Sequence, residues 1–205
     1  MNFKFSRDKL LEVAKSEFLK KGYQGVSLRK IAKKCDLSTG AIYGNFKNKE
    51  ALFDEIILHD LPKILKVFEI AKTKTLACNE KVVDILKNGE ITEELLNEAM
   101  KMYEYMYDNR ESFIMIYSAH GTKYEKIIKD FTKEDIKSTL HLYKKVKDVS
   151  KIEKTVEKIL TNVASECFVG AIPFLIEYDK FEVAKPFLEL YIKCYIQCFL
   201  FLLKQ

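Results

Sequence analysis

A chain of 205 residues, 48% apolar and 32% charged, holds enough core-forming side chains for one or two globular domains, which excludes a disordered polymer. It has only 7 Gly and 3 Pro, too few to turn the chain of a many-stranded fold, so an all-helical protein is expected. The net charge of +5 hides a division. Residues 1–50 carry 12 Lys/Arg against 5 Asp/Glu, and the remainder 23 against 25, a basic head on a slightly acidic body rather than a general polycation.

Taken in order, residues 7–21 are predicted to form a first helix, with Leu10, Val13, Ala14 and Phe18 on one stripe and Gly22 as C-cap. Tyr23 and Val26 then close a small core. Ser27 is predicted to N-cap a second helix in which Leu28, Ile31 and Ala32 share a face. The chain turns at Lys34-Cys35-Asp36, and Leu37, the one apolar residue there, fills the angle. Ser38 caps a very short third helix carrying Thr39, Gly40, Ala41, Ile42, Tyr43 and Gly44; Asn48 caps the next, which begins Lys49-Glu50-Ala51-Leu52. Two short helices around a tight turn read as helix-turn-helix, whose second helix enters the DNA major groove.

The fourth helical pattern runs through Leu52, Phe53, Ile56, Ile57, Leu61, Leu65 and Phe68, and Pro62 is expected to kink or end it near Asp60, as a hinge or as a tolerated bend. From Cys78 onward the periodicity predicts amphipathic helices at about residues 79–88, 92–107, 110–120, 124–147, 151–178 and 181–204. Breaks fall at Asn88-Gly89, Asp108-Asn109, Gly121, Asp148-Val149-Ser150 and Asp179. Thr92 reads as a helix start, and Ser150 with Glu153 has the spacing of a capping box.

Residues 10–52 resemble the DNA-binding head of the TetR family of bacterial transcriptional regulators. The resemblance rests on Leu10-Leu11-Glu12-Val13-Ala14, Phe18-Leu19-Lys20-Lys21-Gly22-Tyr23, Val26-Ser27-Leu28, Ile31-Ala32, Leu37-Ser38-Thr39-Gly40, Ile42-Tyr43 and Phe46-Lys47-Asn48-Lys49-Glu50-Ala51-Leu52. It implies a three-helix DNA-binding head over residues 1–48 and a helical ligand-binding and dimerisation body over 49–205. Carried over position by position, it implies operator contacts from Ser27, Arg29, Thr39, Gly40, Tyr43, Asn45 and Lys49, and Ser38 is added as a cap beside them. The residue types suit the task. Thr39 reaches a base edge with hydroxyl or methyl, and Gly40 lets the backbone approach the duplex. Arg29 offers a bidentate fork. Lys49, in the first turn of the next helix, joins its charge to free backbone N–H groups around a phosphate. Where the family often has a large residue, Gly44 stands here, and Asn45 takes the place of His or Tyr.

In the body, aromatic and methionine side chains crowd residues 100–117, which suits an apolar pocket or plain core. The family's ligand pocket is expected around Tyr103, Glu104, Tyr107, Phe113, Tyr117 and Glu166. A carboxylate in apolar surroundings there recognises a cationic ligand, and one on an outer face is merely solvated. The last two helices are the most apolar, and the family pairs them with a second copy in a four-helix bundle. Phe168, Ile172, Leu188, Tyr191, Tyr195 and Phe199 are the expected interface. Phe187 to Leu203, interrupted by Glu189, Lys193 and Gln197, is expected to be a buried or interfacial helix rather than a membrane span.

Five scattered cysteines (35, 78, 167, 194, 198) and a charged start without an apolar run place the chain in the reducing cytoplasm. Cys194 and Cys198 share a helix face, half of a zinc site without a histidine nearby, so neither metal nor cofactor is expected. No nucleophile–base pair or phosphate loop points to an enzyme. The resulting expectation is a homodimeric regulator, a repressor by family habit, that binds a palindromic double-stranded DNA operator and is released by a small-molecule effector. A DNA-binding module without ligand control, constitutive or governed by a partner protein, is the alternative.

Overall fold

The structure is a computed structural model that describes residues 3–76 and 80–205, with side-chain surroundings for 7–67, 69 and 82–205. Cys78, Asn79 and the Phe68 side chain lie outside the described residues. All regular structure described is α-helical, as expected, in the order α1 (Phe3–Gly25), α2 (Leu28–Lys34), α3 (Thr39–Asn45), α4 (Lys49–Leu76), α5 (Glu80–Asn88), α6 (Glu93–Asp108), α7 (Arg110–Tyr117), α8 (Glu125–Lys147), α9 (Lys154–Val169), α10 (Ile172–Glu177) and α11 (Phe181–Leu203). The chain divides into two compact units. One comprises Met1–Ile64 with Glu111–Ile128, the other Leu65–Arg110 with Lys129–Gln205.

The first unit is organised around four aromatic rings. Phe53 of α4 receives Phe18 of α1 edge-on at 4.9 Å, Tyr23 at 5.0 Å and Tyr124 at 6.0 Å. The kink inside α1 is made by Gly22, whose φ of 66° and ψ of 170° suit only a residue without a Cβ. Beyond it, the Tyr23 amide donates to the Ser118 carbonyl at 3.3 Å, and the Gln24 side-chain amide donates to the His120 carbonyl at 2.9 Å. Residues after α7 are thus hydrogen-bonded to the end of α1.

Two buried carboxylates hold lysines inward. Glu17, 3% exposed, pairs with Lys21 one turn on and with Lys34 of α2 at 2.6 Å, which ties α1 to α2. Asp60, also 3% exposed, lies 3.1 Å from His59 Nδ1, 3.2 Å from Lys63 and 3.5 Å from Lys15. Pro62 does not end α4, which continues through it. The residue four positions before the proline, Leu58, is exposed, and so is Pro62, so the carbonyl left without an amide faces water.

In the second unit α11 packs against α6, α9 and α10. One end of its core gathers Val83 and Leu86 of α5, Tyr143 and Val146 of α8, Val156 and Leu160 of α9, and Phe199, Leu200 and Leu202 of α11. Thr92 caps α6 as predicted, its hydroxyl accepting from the Leu95 amide at 3.2 Å. The start of α9 is corrected. Glu153 itself caps it, accepting from the Thr155 and Val156 amides, so no capping box opens at Ser150. The single helix predicted over 151–178 is likewise two, parted at Gly170-Ala171 before Pro173. By length and composition, residues Lys154–Glu177 and Phe181–Leu203 are each apolar enough to cross a membrane, a test that core helices also pass.

The Glu17 cluster makes the head's stability depend on pH. Hydrogen bonds from Lys21 and then Lys34 hold its carboxyl pKa down at about 2, against 4.5 for the free group. A depressed acid stabilises the fold above pH 4.5 and loses that contribution as pH falls through 2. Glu17→Gln is expected to cost about 1 kcal/mol at pH 7, because both lysines are solvent-screened. Denaturant unfolding at pH 7 and pH 3 should show the gap between wild type and variant narrowing at the lower pH.

Candidate nucleic-acid interface

Around the recognition helix, local chemistry fixes each turn. α2 ends at Cys35, which is buried, and Asp36 takes the left-handed conformation at φ 56°, which short polar residues tolerate better than most. The Ser38 hydroxyl then accepts the Ala41 amide at 3.1 Å, the predicted N-cap of α3. Asn48 caps α4 in the same way, its Oδ1 accepting the Ala51 amide at 2.8 Å. Ser27 differs. It stands at the N-cap of α2, but its side chain makes no capping bond; only its carbonyl is used, by the Lys30 and Ile31 amides.

Only Ile42 of α3 is buried. The rest of the helix faces outward, with Thr39 and Gly40 exposed and the Tyr43 ring 51% exposed. An added Cβ at Gly44 would meet nothing within 4 Å, so this end of the helix presents bare backbone. Arg29, Ser38 and Lys47 are exposed as well. Asn45 is half-buried and folds back, its amide donating to the Ala41 carbonyl at 2.8 Å.

Lys49 is placed unlike the others. Its ammonium donates to the Tyr23 carbonyl at 2.9 Å, with the Val26 and Gln24 carbonyls at 3.4 and 3.5 Å, and it sits 4.3 Å above the Tyr23 ring. Burial lowers its pKa. The group expected to meet a phosphate is turned inward against the carbonyls that end α1.

The residues expected to form a ligand pocket fall in both compact units. Phe113 and Tyr117 belong to the first compact unit, where Phe113 is buried and Tyr117 lies edge-on to His120. The others are in the second unit. There the Tyr103 hydroxyl donates to the Cys167 carbonyl at 3.1 Å and the Tyr107 hydroxyl to the Phe174 carbonyl at 2.9 Å. Glu104 and Glu166 are exposed, and the Glu166 carbonyl accepts from Tyr191 at 2.7 Å.

The expected dimer residues are likewise redistributed. Phe168, Ile172, Leu188 and Phe199 are buried within the protomer, and Tyr191 and Tyr195 are half-buried with their hydroxyls 3.0 Å apart. The opposite face of α11 carries exposed apolar groups that periodicity did not single out: Val183, Phe187, Leu190 and Phe201, with Cys194 among them. Their spacing of three and four residues is the only sequence signal that marks this second face. Cys194 and Cys198 line a surface groove of about 350 Å³ with Asn162, Val163, Glu166 and Tyr195. Among the described residues no three His, Cys, Asp or Glu side chains cluster to hold a metal.

Comparison with known proteins bears on the head. The family described as "Bacterial regulatory proteins, tetR family" matches residues 10–56, which contain most of α1, all of α2 and α3, and the start of α4. The HTH-type transcriptional regulator UidR of Escherichia coli is 36% identical over 63 residues, 31% of this chain and 32% of that protein. The HTH-type transcriptional regulator QacR of Staphylococcus aureus is 32% identical over 114 residues, 56% of this chain and 55% of that protein. The chain thus spans about a third to half the length of these relatives. A solved transcriptional regulator from Aquifex aeolicus aligns over 84% of this chain and 94% of its own, at 25% identity and a TM-score of 0.42. The matched relatives are regulators of transcription rather than enzymes, and the helix-turn-helix geometry falls inside the matched residues. Over residues 10–56, then, the chain carries the domain that marks the tetR family of bacterial regulatory proteins.

Proposed function

We propose that the protein is a cytoplasmic homodimeric repressor that occupies a palindromic operator and leaves it when a small molecule binds the body. The observation that carries the DNA-binding part is the division within α3. One side chain anchors the helix, and Thr39, Gly40 and Tyr43 are left on an outer face with Arg29, Ser38 and Lys47 beside them. Base edges are read by Thr39 and by backbone brought close at Gly40; Arg29 and Lys47 meet phosphates. Ser27, without a capping bond, has a hydroxyl to offer the same backbone. Asn45 and Lys49 serve the interface by holding it in shape, Asn45 on its own helix and Lys49 across the α1–α4 junction.

Supporting the dimer is the exposed apolar face of α11, where Leu190 is 64% and Phe201 63% exposed. Such a stripe on a soluble protein calls for cover, and a second copy of the same helix supplies a matching one. Two heads are then available for two half-sites, each about one duplex turn from the other.

Fluorescence anisotropy against DNA flanking the protein's own gene, over a salt series, tests the reading. Specific binding with a steep loss in salt is expected, and Arg29→Ala should flatten the log–log slope by about 1 for each protomer. Tyr43→Ala should weaken binding by about tenfold without changing stability. If neither variant alters binding, or random DNA competes equally, the proposed face is wrong. Lys49→Met should behave differently, lowering unfolding free energy by about 1–2 kcal/mol in the absence of DNA and leaving the salt slope unchanged. In sedimentation, Leu190→Glu should convert a dimer to monomer; a dimer that survives it would place the interface elsewhere.

A further inference from the structure

The exposed side chains of α11 follow a symmetric order. Val183, Phe187, Leu190, Cys194, Gln197 and Phe201 are all exposed, and at 3.6 residues per turn they project within about 40° of one line. Val183 and Phe201 stand five full turns apart and point the same way, so the line runs along the helix axis without drift. Its positions are spaced four, three, four, three and four residues apart. That order reads the same from either end, and its centre is level with Ile192, which is buried on the opposite side of the helix. The charged residues of α11, Glu182, Lys185, Glu189 and Lys193, all lie off the line, as they do around the core of a protein interface.

A face with this symmetry matches itself when turned end for end. In an antiparallel pair with its twofold axis level with Ile192, Val183 meets Phe201 of the second copy and Leu190 meets Cys194. A groove of about 350 Å³ then decides the direction. It lies on one flank of the line, between α11 (Cys194, Tyr195, Cys198) and α9 (Asn162, Val163, Glu166). Phe187 leans to the same flank, five residues before the centre. The antiparallel twofold keeps that flank and inverts the height, which carries the ring of the second copy to a level between Cys194 and Cys198, at the groove. A parallel pair carries it to the other flank and leaves it at the other end of the helix. Phe187 is also held ready, because Tyr178 stacks on it with centroids 5.0 Å apart and planes 9° from parallel, so seating the ring costs little further ordering.

We propose that the α11 helices of two copies pair antiparallel about an axis level with Ile192, and that Phe187 of each copy seats in the α9–α11 groove of the other. The proposal rests on the α11 dimer described above and adds its direction and the occupant of the groove. Each groove is complete only with the ring of the second copy, and the Cys194 and Cys198 thiols form its wall.

Sedimentation equilibrium of the full chain measures the dimer constant, and thermal melting checks the fold of each variant. Phe187→Ala should weaken the dimer at least tenfold. So should Asn162→Trp, which fills the groove from α9 and leaves the α11 strip untouched. Together the two changes should weaken it little more than the stronger one alone, because both remove the same contact. Direction is read by cross-linking with diamide in a Cys194→Ser, Cys198→Ser background, where two thiols form one S–S bond and pass two electrons and two protons to the N=N bond of the reagent. Val183→Cys with Phe201→Cys in one chain should give a covalent dimer, and either change alone should not. A covalent dimer from either single change would mean parallel helices, and none from the double change would mean another register. Each of those results overturns the proposal and leaves the dimer standing, as does a dimer constant that Asn162→Trp does not alter. A Leu190→Glu chain that remains dimeric overturns the α11 dimer itself, and the proposal with it.

Discussion

Seven residues of helix with a single buried side chain do not persist in water, because a helix this short cannot repay its nucleation. α3 therefore exists only as far as Ile42 and the Ser38 cap hold it against the rest of the head. Everything behind it serves that end. Phe53 collects Phe18, Tyr23 and Tyr124 around one ring, so the start of α4, the end of α1 and the turn before α8 share a core. Lys49 then closes the junction from the edge, with its ammonium on three carbonyls and its charge over Tyr23. Aromatic rings here set position, and a polar clamp sets angle.

This arrangement changes what the basic charge of the head means. Of its lysines and arginines, Arg7 is taken by Glu55, Lys21 and Lys34 by Glu17, Lys15 by Asp60 and Glu111, and Lys49 by carbonyls. Those cations neutralise internal acids or oxygens and add little to the field at a phosphate. Arg29, Lys30, Lys33 and Lys47 are exposed on the helix-turn-helix segment, and in the proposed function these are the charges that meet a duplex. Formal charge counted along the sequence overstates the DNA-binding charge, because it cannot separate a lysine facing inward from one facing out.

Local signals were legible and tertiary ones were not. Ser38, Asn48 and Thr92 announce their helices because a cap is a bond within four residues, and the first two bound the recognition helix on either side. Gly22 is read from its place after an apolar stripe. Pro62 leaves the outcome open in the sequence, since whether a proline ends a helix depends on which side of it meets water. The dimension missing altogether is depth. Phe113 and Tyr117 lie in the same Met- and aromatic-rich run as Tyr103 and Tyr107, yet they belong to the compact unit that contains the head.

The same lack of depth explains α11. A helix apolar on nearly every side is compatible with a protein core, a lipid bilayer and a protein–protein contact, and periodicity cannot choose among them. Burial separates the sides. Leu188, Ile192, Phe199 and Leu202 are consumed inside the protomer, and Val183, Phe187, Leu190 and Phe201 are left over. A bilayer would cover the whole circumference, but here one side already packs against α6 and α9, so only a strip needs a partner. A strip repeating every three and four residues is matched by another helix carrying the same repeat, with knobs of one set into the gaps of the other. In the proposed dimer, self-association by that strip therefore leaves the inner face of α11 intact within each copy.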